Sequence, residues 1–167
     1  MAKAHSSRSD SPFIDWDDTI ARELIDQNKD RPGALMPILN AMLGTFGYIN
    51  PDIVPDIADA LNQSRAEIHG VISFYHDYRT EPPGRHVIKI CRAEACQAMK
   101  ANDLIDHVKK SLGVDWHETT QDEEYTLEPV YCLGNCACAP SVMIDEDLYG
   151  RITPERFDSL TGKGGKS

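Results

Sequence analysis

All five cysteines of this 167-residue chain fall between residues 91 and 138. Cys91 and Cys96 bound the segment CRAEAC, a C-x4-C pair. Cys132 and Cys136 bound a C-x3-C pair within CLGNCACAP, and Cys138 follows as an extra. Thirty-five residues separate the pairs, so only a fold can bring them together. Four thiolates gathered around one point suit a metal ion or an iron–sulfur cluster. Gly134, between the second pair, lets the backbone curl so that its N–H groups approach sulfur. Such N–H···S bonds tune a cluster's potential. Cys96 is expected just before the N-terminus of a helix over 97–112, where the dipole and free N–H groups favour a thiolate.

Two other uses of the sulfurs compete. A structural zinc or interaction module built on four cysteines usually employs tighter C-x2-C knuckles and often props up a domain that lacks a core. Here 41% of residues are hydrophobic, so a prop is less needed. Spacing favours the cluster and leaves zinc open. A dithiol redox pair is disfavoured because there is no C-x-x-C.

The setting narrows the chemistry further. The N-terminal MAKAHSSRSDSP is polar, without the apolar stretch of a secretory signal. No run approaches the roughly twenty apolar residues that span a bilayer. A cytoplasmic location is therefore expected, where structural disulfides are rare and the Asn62 sequon has no meaning. The formal net charge of −10 argues against a nucleic-acid partner, whose phosphates need a basic footprint. The acidic runs 122–124 and 145–147 read as solvated faces.

Upstream of the cysteines the apolar spacing is helical. Trp16, Ile20, Leu24 and Ile25 predict a helix over 15–28, broken by DRPG at 30–33. Leu35, Ile38, Leu39, Met42, Leu43 and Phe46 predict a second, with Pro37 in its first turn or bending it, and Gly47 as its cap. Asn50-Pro51 starts a third, carrying Ile53, Ile57, Ala58 and Leu61. Ser64 and Glu67 form a capping box for a fourth, with Ile68, Val71, Ile72 and Tyr75 on one face. Residues 14–80 thus read as a small helical bundle after a disordered 1–13. Met36, Met42, Phe46, Tyr48, Phe74 and Tyr75 exceed what such a bundle readily buries, which predicts a partner surface.

EPPG at 81–84 is a stiff linker, and the domain beyond it spans 85–160. Strands are expected at 86–91, 114–120 and 125–131, and in a hairpin of 141–144 with 148–152. A helix over 97–112 carries Met99, Leu104, Ile105 and Val108 and stops at Gly113, and Thr153-Pro154 opens a last helix. This order fits an α/β or α+β domain with one mixed sheet, ending in a flexible 161–167. HETT at 117–120 is no zinc-protease H-E-x-x-H, since position 121 is Gln. GKS at 165–167 is no phosphate loop, since Leu160 replaces the first glycine. His69 and His76 read as packing or surface residues. No nicotinamide, flavin or molybdopterin motif is present, and no catalytic residue is assigned.

CRAEAC, the thirty-five-residue gap and CLGNCACAP, preceded by FGYI and GVISFYHDY, resemble the thioredoxin-like [2Fe–2S] ferredoxin family. Its members include small subunits of respiratory NADH dehydrogenase and their relatives in NAD-linked hydrogenases and formate dehydrogenases. The similarity runs from about Pro32 to Phe157. It implies a thioredoxin-like domain with a mixed four-stranded sheet, and one [2Fe–2S] cluster held by Cys91, Cys96, Cys132 and Cys136. It further implies electron exchange with the flavin of a partner on which the helical bundle docks. Cys138 matches no ligand position and is expected as a small buried residue beside the cluster. Ala139-Pro140 matches the place of a cis-proline. CRAEACQ, HETT and TLEPVYCLGNCAC are most similar to the gamma subunit of soluble, molybdenum-dependent, NAD-linked formate dehydrogenase. That likeness implies an FMN- and NAD-binding flavoprotein (beta) partner and a molybdenum-containing catalytic (alpha) partner. The chain would then be an enzyme only as a subunit of that complex. The equivalent subunit of NADH dehydrogenase or NAD-reducing hydrogenase, and a free-standing ferredoxin, are the alternatives.

Overall fold

Asp17 opens α1 (Asp18–Asn28) as its cap, its carboxylate accepting the Thr19 and Ile20 N–H groups at 2.7 and 3.1 Å. The helix therefore starts later than the apolar stripe suggests. Trp16 lies outside it and packs on Phe46, ring centroids 4.4 Å apart. The structure, a computed structural model, describes residues 12–162, in two units that divide between Pro82 and Pro83. The expected disordered start and flexible tail fall on 1–11 and 163–167, outside the described residues, apart from 12–13 and 161–162.

The first unit continues with α2 (Leu35–Phe46), which holds Pro37 in its first turn and ends at Gly47 with φ 78°. Asn50 caps a 3-10 turn at Pro51–Ile53, which leads into α3 (Val54–Leu61). The two prolines are absorbed because each sits in a first turn, where no N–H is needed. Both halves of the Ser64–Glu67 capping box are present at the head of α4 (Arg65–Phe74). Ile38, Leu39, Met42, Phe46, Ile57 and Ile68 are fully buried in one core. The expected apolar excess is mostly absorbed: Met42 and Phe46 are buried, and Met36 and Tyr48 pack against the core. Phe74 and Tyr75 remain outside, 74% and 43% exposed, beyond the reach of the inward face that Ile68 and Ile72 define.

In the second unit β1 (His86–Cys91) pairs parallel with β2 (Tyr125–Val130), from His86 opposite Tyr125 to Cys91 opposite Val130. Strand β3 (Ser141–Ile144) runs antiparallel to β1, and β4 (Asp147–Gly150) antiparallel to β3. The order β2-β1-β3-β4 gives a mixed four-stranded sheet, as the thioredoxin-like class requires. Its core joins Ile88, Ile90, Leu127 and Val142 of the sheet to Leu104 and Val108 of the crossover helix and to Phe157. Phe157 comes from α7 (Pro154–Leu160), capped by Thr153.

Two expectations fail here. The helix over 97–112 is two helices, α5 (Glu94–Ala98) and α6 (Ala101–Leu112), divided at Lys100 with φ 66°. Met99, read as part of the apolar face, is 58% exposed at the break. Residues 114–120 are not a strand. Glu118 accepts the Asp115 N–H on its carboxylate at 2.7 Å and returns its own N–H to the Asp115 carbonyl at 3.2 Å. Those local bonds close a turn at the start of the segment. Beyond it His117 N–H to the Leu127 carbonyl, Leu127 N–H to the Glu118 carbonyl and Thr120 N–H to the Tyr125 carbonyl make a short contact with β2, where Thr119 bridges Thr126.

Candidate metal centre

Parallel strands end on the same side of a sheet, and that rule assembles the site. Cys91 is the last residue of β1, and Cys132 lies two residues beyond β2. Because β3 is antiparallel to β1, it starts at this same end, with Val142 opposite Ile90. The loop before β3 carries Cys136 and Cys138 in a 3-10 turn, followed by a cis Ala139-Pro140 bond.

The sulfurs form two pairs of unlike surroundings. Cys96, from α5, lies against Cys91; both are 2% exposed, in a shell of Ala93, Ala101, Val130, Leu133 and Ala139. Cys136 lies against Cys132, and both are exposed. The pairs are close enough to feel each other, Cys136 repelling charge on Cys96 and Cys91 repelling charge on Cys136. Yet among the described residues no three His, Cys, Asp or Glu side chains converge as a single ion would need. The direct sulfur–sulfur contacts that the structure shows lie within the couples, Cys96 with Cys91 and Cys136 with Cys132. Four thiolates supplied as two couples would suit a [2Fe–2S] cluster.

Burial first, and then the neighbouring Cys91, push the Cys96 thiol above its ordinary value; an N–H from Ser141 works in the opposite direction. The expected help from a helix N-terminus does not carry Cys96: it sits inside the five-residue α5 and burial dominates. Cys136 is also raised, by its hydrogen bond with Cys132 and by charge on that neighbour. Iron held by these residues would supply the positive charge that keeps such thiols ionised.

Backbone N–H donors reach both pairs. Gly134, at φ 73°, donates to Cys132 Sγ at 3.3 Å, as its place between the two cysteines predicts. Ser141 donates its backbone N–H to Cys96. Sequence reasoning missed Ser141, because only the β1–β3 register puts it beside the first pair. It also missed Trp116, whose ring lies 5.3 Å from the guanidinium carbon of Arg92, the residue after Cys91, and 4.6 Å from Lys109 Nζ of α6. Cys138 is half-buried. His117 pairs with Glu128 at 2.6 Å, and His69 and His76 are exposed in the first unit.

No helix among the described residues is long and apolar enough to cross a membrane. Residues 21–163 match the profile of a family described as thioredoxin-like [2Fe-2S] ferredoxin. The E-type chain of NADH-quinone oxidoreductase from Mycobacterium bovis is 36% identical over 140 residues, covering 84% of this chain and 56% of that protein. NADP-reducing hydrogenase subunit HndA of Solidesulfovibrio fructosivorans is 30% identical over 138 residues, covering 83% of this chain and 81% of its own length. The chain thus spans little more than half of the Mycobacterium relative. Among solved structures, an NAD+-reducing [NiFe]-hydrogenase in the H2-reduced state superposes with a TM-score of 0.65 over 77% of this chain and 22% of the other. At 21% identity that likeness speaks for the fold.

Proposed function

Because the chain belongs to the thioredoxin-like [2Fe-2S] ferredoxin family, we propose that it is an electron-transfer subunit in which Cys91, Cys96, Cys132 and Cys136 hold the cluster. The observation that carries this reading is the pairing of two buried thiols with two exposed ones at one sheet end. A [2Fe–2S] cluster accepts and releases single electrons when bound. The buried pair anchors it in an apolar shell that excludes water. The exposed pair leaves one edge at the surface, where a partner's cofactor can come close. Gly134 and Ser141 place an N–H on each pair, stabilising negative charge on sulfur.

The partner in this reading is a flavoprotein that binds FMN and NAD, a flavin being able to link hydride chemistry to one-electron carriers. The bundle contributes a docking edge at Phe74 and Tyr75, whose rings meet edge-on with centroids 5.0 Å apart. The full complex is an NAD-dependent formate dehydrogenase with a molybdenum-containing subunit. Support for that step is the likeness of CRAEACQ and TLEPVYCLGNCAC to the gamma subunit of such enzymes. The names of the relatives favour a second reading, the equivalent subunit of an NADH-quinone oxidoreductase or NAD(P)-reducing hydrogenase.

Three additions separate the readings. NADH given to this chain together with its flavoprotein should reduce the cluster, read by EPR. Formate should do so only once the molybdenum subunit is added. Hydrogen or a quinol acting in place of formate would overturn the formate assignment and leave the cluster standing. Phe74→Ala with Tyr75→Ala should weaken capture of the flavoprotein while iron content stays unchanged.

A further inference from the structure

We propose that Gly150, at the end of β4, is the seat that positions Cys136, and so sets the geometry of the exposed half of the site. This rests on Cys136 being a ligand. Ser141 pairs with Gly150 across the β3–β4 ladder, which brings the end of β4 beneath the 3-10 turn at Cys136–Cys138. A Cβ at position 150 would lie 2.6 Å from the Cys138 Cβ, 2.8 Å from Asn135 Nδ2 and 2.8 Å from the Cys138 carbonyl oxygen. Real Cβ atoms do not approach so closely, and one of these atoms is backbone. The φ of Gly150 is not in the left-handed region, so glycine is needed here for space and not for conformation.

Hydrogen bonds hold the turn on this seat from both sides. Arg151 N–H donates to the Cys138 carbonyl at 2.6 Å, and the turn closes itself through Cys138 N–H to the Asn135 carbonyl at 3.0 Å. From α7, Arg156 Nη1 donates to the Gly150 carbonyl at 2.9 Å. On the opposite side of the turn Cys136 and Ala137 face solvent and are exposed. A side chain at 150 must therefore lift residues 135–138 away from β4 and carry Cys136 off Cys132. The buried pair rides on β1 and α5 and is not displaced. Gly150 is thus a positioning residue acting on a ligand through Cys138, whose own role is to fill that contact.

The test compares two crowded glycines at opposite ends of the sheet in the full chain. Gly84→Ala would bring its Cβ to 3.0 Å from backbone at Glu123–Tyr125, a packing insult far from the cysteines. Gly150→Ala is expected to alter the EPR g values and midpoint potential and to speed iron loss to a chelator. Gly84→Ala should lower thermal stability and leave those readouts as in the native chain. Adding Cys138→Gly to Gly150→Ala removes the nearest clashing atom and should restore the spectrum in part; adding Cys138→Ala, which keeps the Cβ, should not. Arg156→Met, which frees the Gly150 carbonyl without a clash, should shift the same features more weakly and serves if Gly150→Ala does not fold. A native spectrum and potential in both Gly150→Ala and Arg156→Met, or equal shifts in Gly84→Ala, would overturn the proposal. If Cys136→Ala retains a native cluster, the ligand reading fails instead, and that result is distinguishable from the others.

Discussion

The two cysteine pairs sit at one sheet end and share one fold, yet they differ in almost everything that decides chemistry. Cys91 and Cys96 come from a strand terminus and a short helix, 2% exposed among alanines, valine and leucine. Cys132 and Cys136 come from an irregular loop and are exposed. The buried pair is fixed by core packing, which resists displacement. The exposed pair is fixed by a few contacts, among them Gly134 N–H to Cys132 and the seat on Gly150. In the proposed function this contrast would let a carrier hold a charged group firmly and still present it, one half anchored in the core and the other exposed.

The largest expected effect comes from breaking the anchored half. Cys91→Ser or Cys96→Ser should abolish cluster binding, because a buried oxygen ligand in an apolar shell lacks water, and the Ser141 N–H at Cys96 is too little to support its charge. Cys132→Ser or Cys136→Ser should keep a cluster in part of the population, with altered absorption, since the exposed edge is solvated. Cys138→Ala should load fully. Iron and acid-labile sulfide analysis of the five variants decides it. Equal loss from both pairs would erase the distinction drawn here.

A smaller and independent effect concerns access in the iron-free chain. Alkylation followed by mass spectrometry should label Cys132 and Cys136 well ahead of Cys91 and Cys96, with half-buried Cys138 between them. Burial also raises the Cys96 thiol, which slows its reaction further at neutral pH. Uniform labelling would mean that the buried pair is organised only when iron is bound.

The cysteine pairs could be read from the residues alone, the contrast between them could not, and the reason is definite. The pairing of cysteines, the Gly134 turn, the capping box and the Gly47 cap are all local signals, set within a few residues by backbone geometry. The break at Lys100 and the loss of a strand over 114–120 were hidden, because Met99 fits a helical stripe and Val114 to Thr120 contains residues that strands favour. There, local hydrogen bonds between Asp115 and Glu118 close a turn and leave only the short run from His117 to Thr120 bonded to β2. The unequal burial of the pairs, the Ser141 donor and the Gly150 contact depend on register between distant strands, which one sequence does not display.

The smallest effect sharpens the contrast from outside the site. Ser64→Ala removes one half of a capping box in the first unit and should lower Tm by about 2–4 °C, with an unchanged EPR spectrum. The Ser64 backbone N–H, and then its hydroxyl, hold the Glu67 carboxyl below its ordinary value of 4.5. A depressed carboxyl contributes stability above that value and loses it as pH falls. The Tm difference should therefore shrink in acid. A changed cluster spectrum in this variant would mean that the bundle acts on the site.

Four sulfurs arranged as two couples would serve two irons. Metal and sulfide content of the full chain, measured anaerobically alongside EPR, addresses it directly. The expected result is a coloured protein with about two iron and two sulfide per chain, EPR-silent when oxidised and paramagnetic once reduced. A colourless protein holding a single zinc on the same cysteines would contradict it.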